Sequence, residues 1–485
     1  MSAAPTLYES LADHLASLVE AGSLLAGDRL PSVRGLAAQQ GVSISTVLQA
    51  YVLLESRGLV EVRPQSGHYV KARLHPRLPE PRTPRVEPGA RAVTVAERVG
   101  QLYTGLDGSA GVLGLALPDA TLLPARRLAR SMVRAARASG EASVAYGPPA
   151  GMPALRRELA RRSASWGCAI PADEILITVG AMEALHLALR AVARRGETIA
   201  VESPAFFGVL QLIESLGIKV VEIPARAGTG MDLSVLDGVL RRRRIQAVMA
   251  VPSFNNPLGS RMPDGARKEL ARIVTRHDVP LIEDDVYGDL QFDGARPRLV
   301  RSFDRKGLVL LCSSFSKTLA PGYRVGWIAP GRYRTTIERM KFAQTVSSPV
   351  LPQLAIADFL QSGGYDHHLR SLRRSLREQV ARYGAEIAAR FPPGTRLSRP
   401  QGGFVLWVEL PPGTDALALQ ERAVAEGAAV APGPIFSANG GFRNCLRISC
   451  GQPWSPAIEQ ALAKVGRIAT ELAGRDAGAT RALQS

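Results

Sequence analysis

The stretch Ser313-Ser314-Phe315-Ser316-Lys317-Thr318-Leu319-Ala320-Pro321-Gly322-Tyr323-Arg324 follows an apolar run, Leu308-Val309-Leu310-Leu311-Cys312. The run has the length and composition of a buried strand. A strand that ends in hydroxyls, a lysine and, seven residues later, an arginine has the parts of an anion site with a nucleophile inside it. Serine hydroxyls and a guanidinium hold a phosphate, and a lysine amine forms an imine with an aldehyde. Ser, Lys and Arg are also ordinary loop residues, so the neighbouring strand ends decide between the two readings.

Working outward, helical segments alternate with apolar runs from about residue 140. Ile175–Val179, Ile199–Val201, Lys219–Ile223, Ala247–Val251, Val279–Ile282 and Val309–Leu311 read as strands. Apolar rather than alternating strands, joined by long crossovers, predict a mostly parallel sheet covered on both faces. Ligands of such sheets collect beyond the carboxyl ends of the strands. The first strand runs into Gly180-Ala181-Met182, whose amides at a helix start suit a phosphate. The next leads to Phe206, and later ones to Asn256, to Asp284 and Tyr287, and to Ser314, Ser316, Lys317 and Arg324. Together these are the parts that a pyridoxal 5′-phosphate site requires. Amides, hydroxyls and Arg324 suit the phosphate, and Lys317 suits the aldehyde. Asp284 keeps a pyridine nitrogen protonated. Asn256 and Tyr287 hold the ring oxygen, and Phe206 covers the ring face.

Residues from about 105 to 470 resemble the fold type I aminotransferases. The matching motifs are Tyr146-Gly147-Pro148-Pro149-Ala150-Gly151, Asn256-Pro257-Leu258-Gly259, Asp284-Asp285-Val286-Tyr287, Ser314-Phe315-Ser316-Lys317 and Arg324. The resemblance implies Lys317 as the Schiff-base lysine and Asp284 as partner of the ring nitrogen. It assigns Ala181, Met182, Ser314, Ser316 and Arg324 to the phosphate. Tyr146 would reach the phosphate of a second subunit, which implies a homodimer. Arg447 matches the arginine that clamps a substrate carboxylate. Gly402 to Trp407 falls in a smaller C-terminal α+β domain. Ala181-Met182 departs from the pattern, since many of these proteins carry a Ser or Thr hydroxyl there.

The N-terminal stretch reads differently. Leu7, Leu11, Leu15 and Leu18 recur at helical spacing. Ser32 and Ser43 are capping residues for a second helix and for a third over about Ile44–Arg57. Leu59–Arg63 and Gly67–Val70 then read as a hairpin. This winged helix-turn-helix order resembles the GntR-type DNA-binding domain, most clearly in Leu30-Pro31-Ser32-Val33-Arg34 and Gly58-Leu59-Val60. The resemblance implies Arg34, Ser45, Thr46 and Gln49 as contacts to double-stranded DNA, with Arg63 and His68 on the wing. Basic and acidic side chains balance within residues 1–80, and Ile44 and Ser45 stand where related domains often show an arginine.

Prolines and arginines over 73–92 predict an extended spacer. The expected layout is therefore a winged helix over 1–72, a linker over 73–92, a large domain over 93–350 and a small one over 351–485. The chain has 485 residues, a formal net charge of +17 and 46% hydrophobic residues, with no uninterrupted apolar 20-mer. Its four cysteines fit neither a disulfide framework nor a metal site, so a cytoplasmic chain without membrane span or metal is expected. The excess charge favours a polyanionic partner or an anionic cofactor, and a high arginine content set by genomic composition accounts for it equally.

A GntR-type winged helix, a linker and an aminotransferase-like domain together resemble the MocR subfamily of bacterial transcription regulators. That resemblance implies a pyridoxal-phosphate-dependent regulator, usually a head-to-tail dimer. Such proteins sense the cofactor itself, or an amine or amino acid that forms an aldimine in place of Lys317. The alternative is a working aminotransferase with an accessory DNA-binding domain.

Overall fold

Apolar residues three and four apart build the N-terminal helices α1 (Leu7–Glu20), α2 (Val33–Gln40) and α3 (Ile44–Ser56). The computed structural model describes residues 6–20, 24, 27–63, 66–70, 78–84, 86, 89–104 and 113–482. The chain divides into two units, Met1–Arg77 and Leu78–Ser485. In the first, Leu11, Leu15, Leu36, Val47, Ala50, Tyr51 and Leu54 share one core. Both capping serines act as expected: Ser32 Oγ accepts from Gly35 N at 3.1 Å and Ser43 Oγ from Thr46 N at 3.1 Å. Gly41 ends α2 with φ +64°, a conformation that favours glycine. The hairpin is β1 (Val60–Arg63) antiparallel to β2 (Gly67–Val70), with Val60 opposite Val70. Residues 27–30 add to it, Leu30 N donating to His68 O at 2.9 Å.

The second unit begins with β3 (Arg91–Ala92), α4 (Ala96–Thr104), α5 (Ala125–Ser139) and α6 (Pro153–Ser163). An alternating series follows: β4 (Leu176–Val179), α7 (Gly180–Val192), β5 (Thr198–Ser203), α8 (Phe207–Ser215), β6 (Lys219–Arg226), β7 (Gly230–Met231) and α9 (Leu233–Arg242). It continues through β8 (Val248–Ala250), α10 (Asp264–His277), β9 (Leu281–Asp284), β10 (Val309–Ser314), β11 (Val325–Ala329), α11 (Arg334–Thr345) and α12 (Val350–Gln361). The strands form one sheet in the order β3-β6-β5-β8-β9-β10-β11-β4, with β7 paired to β6. Its middle, β6 through β10, is parallel, and its edges are antiparallel. The mostly parallel sheet expected from the sequence is thus present, with antiparallel strands at its edges. β11 was not among the sequence-predicted strands, yet it runs antiparallel between β10 and β4.

The long α13 (Gly364–Arg390) leads to a second sheet, β12 (Arg396–Leu397), β13 (Val405–Glu409), β14 (Ala431–Pro432) and β15 (Cys445–Ser449), in the order β12-β13-β15-β14. α14 (Ala416–Ala425) and α15 (Pro456–Ala482) cover it. A division at residue 350 is displaced. α12 and the first turns of α13, with Tyr365 and Leu369, share the core of Leu155, Leu159 and Trp166. From Leu372 onward α13 belongs to the core of the second sheet. One helix thus joins both cores, because its apolar stripe is longer than either needs.

The spacer expected over 73–92 also needs correction. Residues 73–77 lie outside the described residues, but 78–82 are docked along the second sheet. Leu397 N donates to Pro79 O at 2.9 Å, Arg399 Nη2 to Leu78 O at 2.9 Å and Arg396 Nη1 to Glu80 O at 3.0 Å. Arg82 N donates to Glu409 Oε2 at 2.7 Å. An extended segment makes no internal hydrogen bonds, so its carbonyls are free to meet the amides and arginines of an edge strand.

Arg267 on α10 shows how the core holds the loop that carries Asn256. Fully buried, it donates to Met262 O (2.8 Å), Arg298 O (2.8 Å), Pro252 O (2.6 Å) and Ser253 Oγ (3.1 Å). Arg267→Leu leaves those acceptors buried and unpaired, and we expect it to cost about 3 kcal/mol or more of stability. The measurement is the urea midpoint at an unchanged slope.

Candidate functional site

Lys317 follows the carboxyl end of β10, and its Nζ donates to Ala116 O at 2.7 Å. Burial lowers its pKa to about 8, helped by the positive charges of Arg447 and Arg324 and opposed by Asp284. Asp284, at the end of the adjacent β9, is pushed up to about 7, chiefly by burial. Its Oδ1 accepts from Val286 N at 3.2 Å. A buried acid facing an amine of reduced basicity is a donor set that fits a protonated ring nitrogen.

The other strand ends converge on the same place. Arg447 on β15 is fully buried between the rings of Phe207 and Phe436, 5.9 and 5.4 Å from their centroids. Its Nη1 donates to Asn256 Oδ1 at 3.3 Å, and its Nη2 to Gly114 O. Tyr287 is buried edge-on to Phe404, its pKa pushed up to about 12 by burial and lowered somewhat by Arg447 and the Asn256 hydrogen bond. Phe206 caps α8 with its ring tilted against Phe207 at 4.8 Å.

The phosphate elements meet at the start of α7. Gly180 has φ +74°, and a Cβ there would stand 2.5 Å from Arg324 Nη2. Gly326 packs as closely, since its Cβ would lie 2.4 Å from the Gly180 carbonyl carbon. The guanidinium of Arg324 therefore lies against bare backbone at a helix N-terminus, where amides and dipole favour an anion. Ser314 is buried and accepts from Ser316 N at 3.3 Å, Ser316 and Ala181 are half-buried, and Met182 is exposed. These residues fit a phosphate-bearing aldehyde. Tyr146 is 86% exposed and stands outside this set.

Sequence reasoning missed the layer behind Lys317. The hydroxyl of Tyr365 bonds Thr318 Oγ1 at 2.9 Å and Asp289 Oδ2 at 3.0 Å, and His368 Nε2 donates to Thr318 O at 2.7 Å. Arg296 bridges Asp289 and Asp285. Tyr365 and His368 lie one turn apart on the buried side of α13, a polar pair in an apolar stripe that is the available signal. Gly114 and Ala116, whose carbonyls meet Arg447 and Lys317, act through backbone alone and leave no signal.

In the N-terminal unit, Arg34, Ser45 and Gln49 are exposed, whereas the Thr46 hydroxyl bonds Ser43 Oγ at 2.8 Å. Arg63 lies over Tyr69 at 4.4 Å and pairs with Glu61 at 2.9 Å. The His68 ring is 4.6 Å from that of Tyr51, so it serves the unit's own packing. Among the described residues no His, Cys, Asp or Glu cluster suits a metal, and no helix is long and apolar enough to cross a membrane. All four cysteines are free.

Fold and site together define a winged-helix DNA-binding unit fused to a fold type I aminotransferase-like domain. Residues 7–70 match the bacterial regulatory proteins of the gntR family, and residues 112–465 match aminotransferase class I and II. The chain belongs to the MocR group of GntR-family transcription regulators, which carry both. It is 39% identical over 464 residues to the uncharacterized HTH-type transcriptional regulator YjiR of Escherichia coli strain K12, covering 95% of this chain and 98% of that one. YdcR of the same strain, also an uncharacterized HTH-type transcriptional regulator, is 36% identical over 96% of this chain and 99% of its own. The structure of the α-aminoadipate aminotransferase LysN from Thermus thermophilus, complexed with N-(5′-phosphopyridoxyl)-L-leucine, superposes with a TM-score of 0.70 at 30% identity. It covers 79% of this chain and 100% of that one.

Two outcomes follow from the site. Gly180→Ala drives a methyl group into Arg324 and should weaken pyridoxal 5′-phosphate at least about tenfold, near 1.4 kcal/mol, in a spectrophotometric titration. Separately, Glu202, Glu283 and Asp284 are each raised to about 7, first by burial. Unfolded carboxylates titrate near 4, so between about pH 4 and 7 the folded cofactor-free chain binds more protons. Its stability falls as pH rises through that window. The urea midpoint of cofactor-free protein should therefore be higher at pH 6 than at pH 8, and Asp284→Asn should flatten the difference.

Proposed function

We propose that this regulator takes pyridoxal 5′-phosphate as its cofactor and senses a small amino compound at Lys317, which changes its hold on DNA. The observation that carries the reading is the convergence of Lys317, Asp284, Asn256, Tyr287 and Arg324 in a chain that also has a winged helix. When bound, the cofactor supplies an aldehyde carbon that condenses with a primary amine, of Lys317 or of a ligand, releasing water. The chain's own residues supply the rest. With a pKa near 8, Lys317 is partly neutral at physiological pH, hence nucleophilic and exchangeable. Asp284 offers the negative charge for a ring nitrogen, and Arg324 with the α7 amides holds the phosphate.

Arg447 favours ligands with an acid group. Two of its hydrogen bonds go to the neutral oxygens of Gly114 and Asn256, and a carboxylate is a stronger acceptor that takes a guanidinium in a bidentate pair. Exchange at Lys317 has a route outward: Thr318 is held by Tyr365 and His368 on α13, the helix that joins both cores. The exposure of Tyr146 supports a homodimer in which it completes a second copy's phosphate site. The head-to-tail arrangement is part of this proposal, as is a cytoplasmic location beside the DNA.

Lys317→Ala tests the reading. The wild type with cofactor should change its operator affinity when given the amino compound that shifts its absorbance band. Lys317→Ala should lose the band and the response while still binding DNA. Equal affinity in all four combinations sinks the proposal. A second reading, a turning-over aminotransferase, is favoured by the lowered pKa of Lys317, which suits a proton-transferring base. Conversion of cofactor to its amine form by an amino donor at about 1 s⁻¹ or faster would select it.

A further inference from the structure

The helix meant to enter the DNA groove brings no cation. α3, ISTVLQAYVLLES, contains neither Lys nor Arg, and its exposed side carries Ile44, Leu48 and Val52, each 45–62% exposed. Since charges balance over residues 1–80, the whole excess of +17 lies in the remainder of the chain. DNA affinity is built largely on phosphate neutralisation, so the aminotransferase-like unit is where the missing cations are to be sought.

α5 supplies them in an ordered form. Its sequence, ARRLARSMVRAARAS, has five arginines and no acid. Leu128, Ser131 and Ala135 are buried, while Arg126, Arg127, Arg130 and Arg137 are exposed. Arg134 alone among the five is neutralised, by Asp358. The other four make no ion pair among the described residues, although arginines elsewhere in the unit are commonly paired, as are Arg162, Arg241, Arg377 and Arg467. Arg126, Arg130 and Arg137 follow one another along a single helix face. At about 1.5 Å per residue they span ~16 Å, and a duplex presents one phosphate charge per ~1.7 Å of axis. Val133, 50% exposed, lies between Arg130 and Arg137 on the same face, so one apolar side chain interrupts the stripe, but all its charge is of one sign, which matches a polyanion.

We infer that the outer face of α5 in the aminotransferase-like unit is a second DNA-contacting surface, which holds backbone phosphates without reading sequence. The inference rests on the regulatory reading above, since it takes DNA as the partner.

The test measures operator and non-specific DNA affinity of the full cofactor-loaded chain between about 50 and 200 mM salt. R126Q/R130Q/R137Q should lower the salt slope by about 2.7, so that the wild type loses roughly 40-fold more affinity than the variant over that range. The loss should be the same on both DNAs, with the cofactor absorbance unchanged. R242Q/R243Q/R244Q removes equal charge from an exposed run at the end of α9 and should leave the slope near wild type. An unchanged slope in the α5 variant overturns the proposal. So does an equal fall in the α9 variant, which would make the effect one of net charge, or a change in sedimentation, which would assign the stripe to contact between copies. A wild type without DNA affinity instead overturns the regulatory reading itself.

Discussion

Lys317 and Asp284 depend on each other. Each is a charge withdrawn from water, and each shifts towards neutrality for that reason, the amine downward and the acid upward. Such a pair is costly to bury without further partners. The fold sets the two side by side by ending adjacent parallel strands at one edge, β9 at Asp284 and β10 just before Lys317, and adds the Val286 amide for the acid and the Ala116 carbonyl for the amine. β15 of the second sheet adds Arg447 from another direction. The parallel middle of the main sheet is what brings these ends to one place.

The close backbone contacts serve the same end. Gly180 and Gly326 leave no room for a side chain, so a guanidinium and a helix N-terminus occupy adjacent space. With no hydroxyl at Ala181 or Met182, backbone amides and Arg324 are the groups this packing leaves for the proposed phosphate. Behind Lys317, the bonds of Tyr365 and His368 to Thr318 tie the lysine's neighbour to α13. Since α13 enters both cores, the exchange proposed at Lys317 has a mechanical path to the smaller sheet.

The two units divide the labour of a regulator unequally. The winged helix has the shape for a groove but a reading helix without cations, and its wing residues Arg63 and His68 are engaged by Tyr69 and Tyr51. The aminotransferase-like unit holds both the chemistry and the excess charge. On the proposed reading, sensing and electrostatic grip reside in the same body.

The sequence by itself determined the two-part organisation, the strand-end positions of Asp284, Asn256, Tyr287, Lys317 and Arg324, and both capping serines. These are local facts: an apolar run long enough for a strand, the polar residue after it, a serine before a helical stripe. Only the tertiary structure decided what depends on distant partners. β11 is a strand because β10 and β4 flank it, which five residues beginning Val-Gly-Trp do not announce. The docking of residues 78–82 needs the free edge of β12, and the boundary inside α13 follows from two cores sharing one helix. Gly114 and Ala116 meet Arg447 and Lys317 through carbonyl oxygens that every residue possesses. Their role comes from where the chain passes, and composition carries no trace of it.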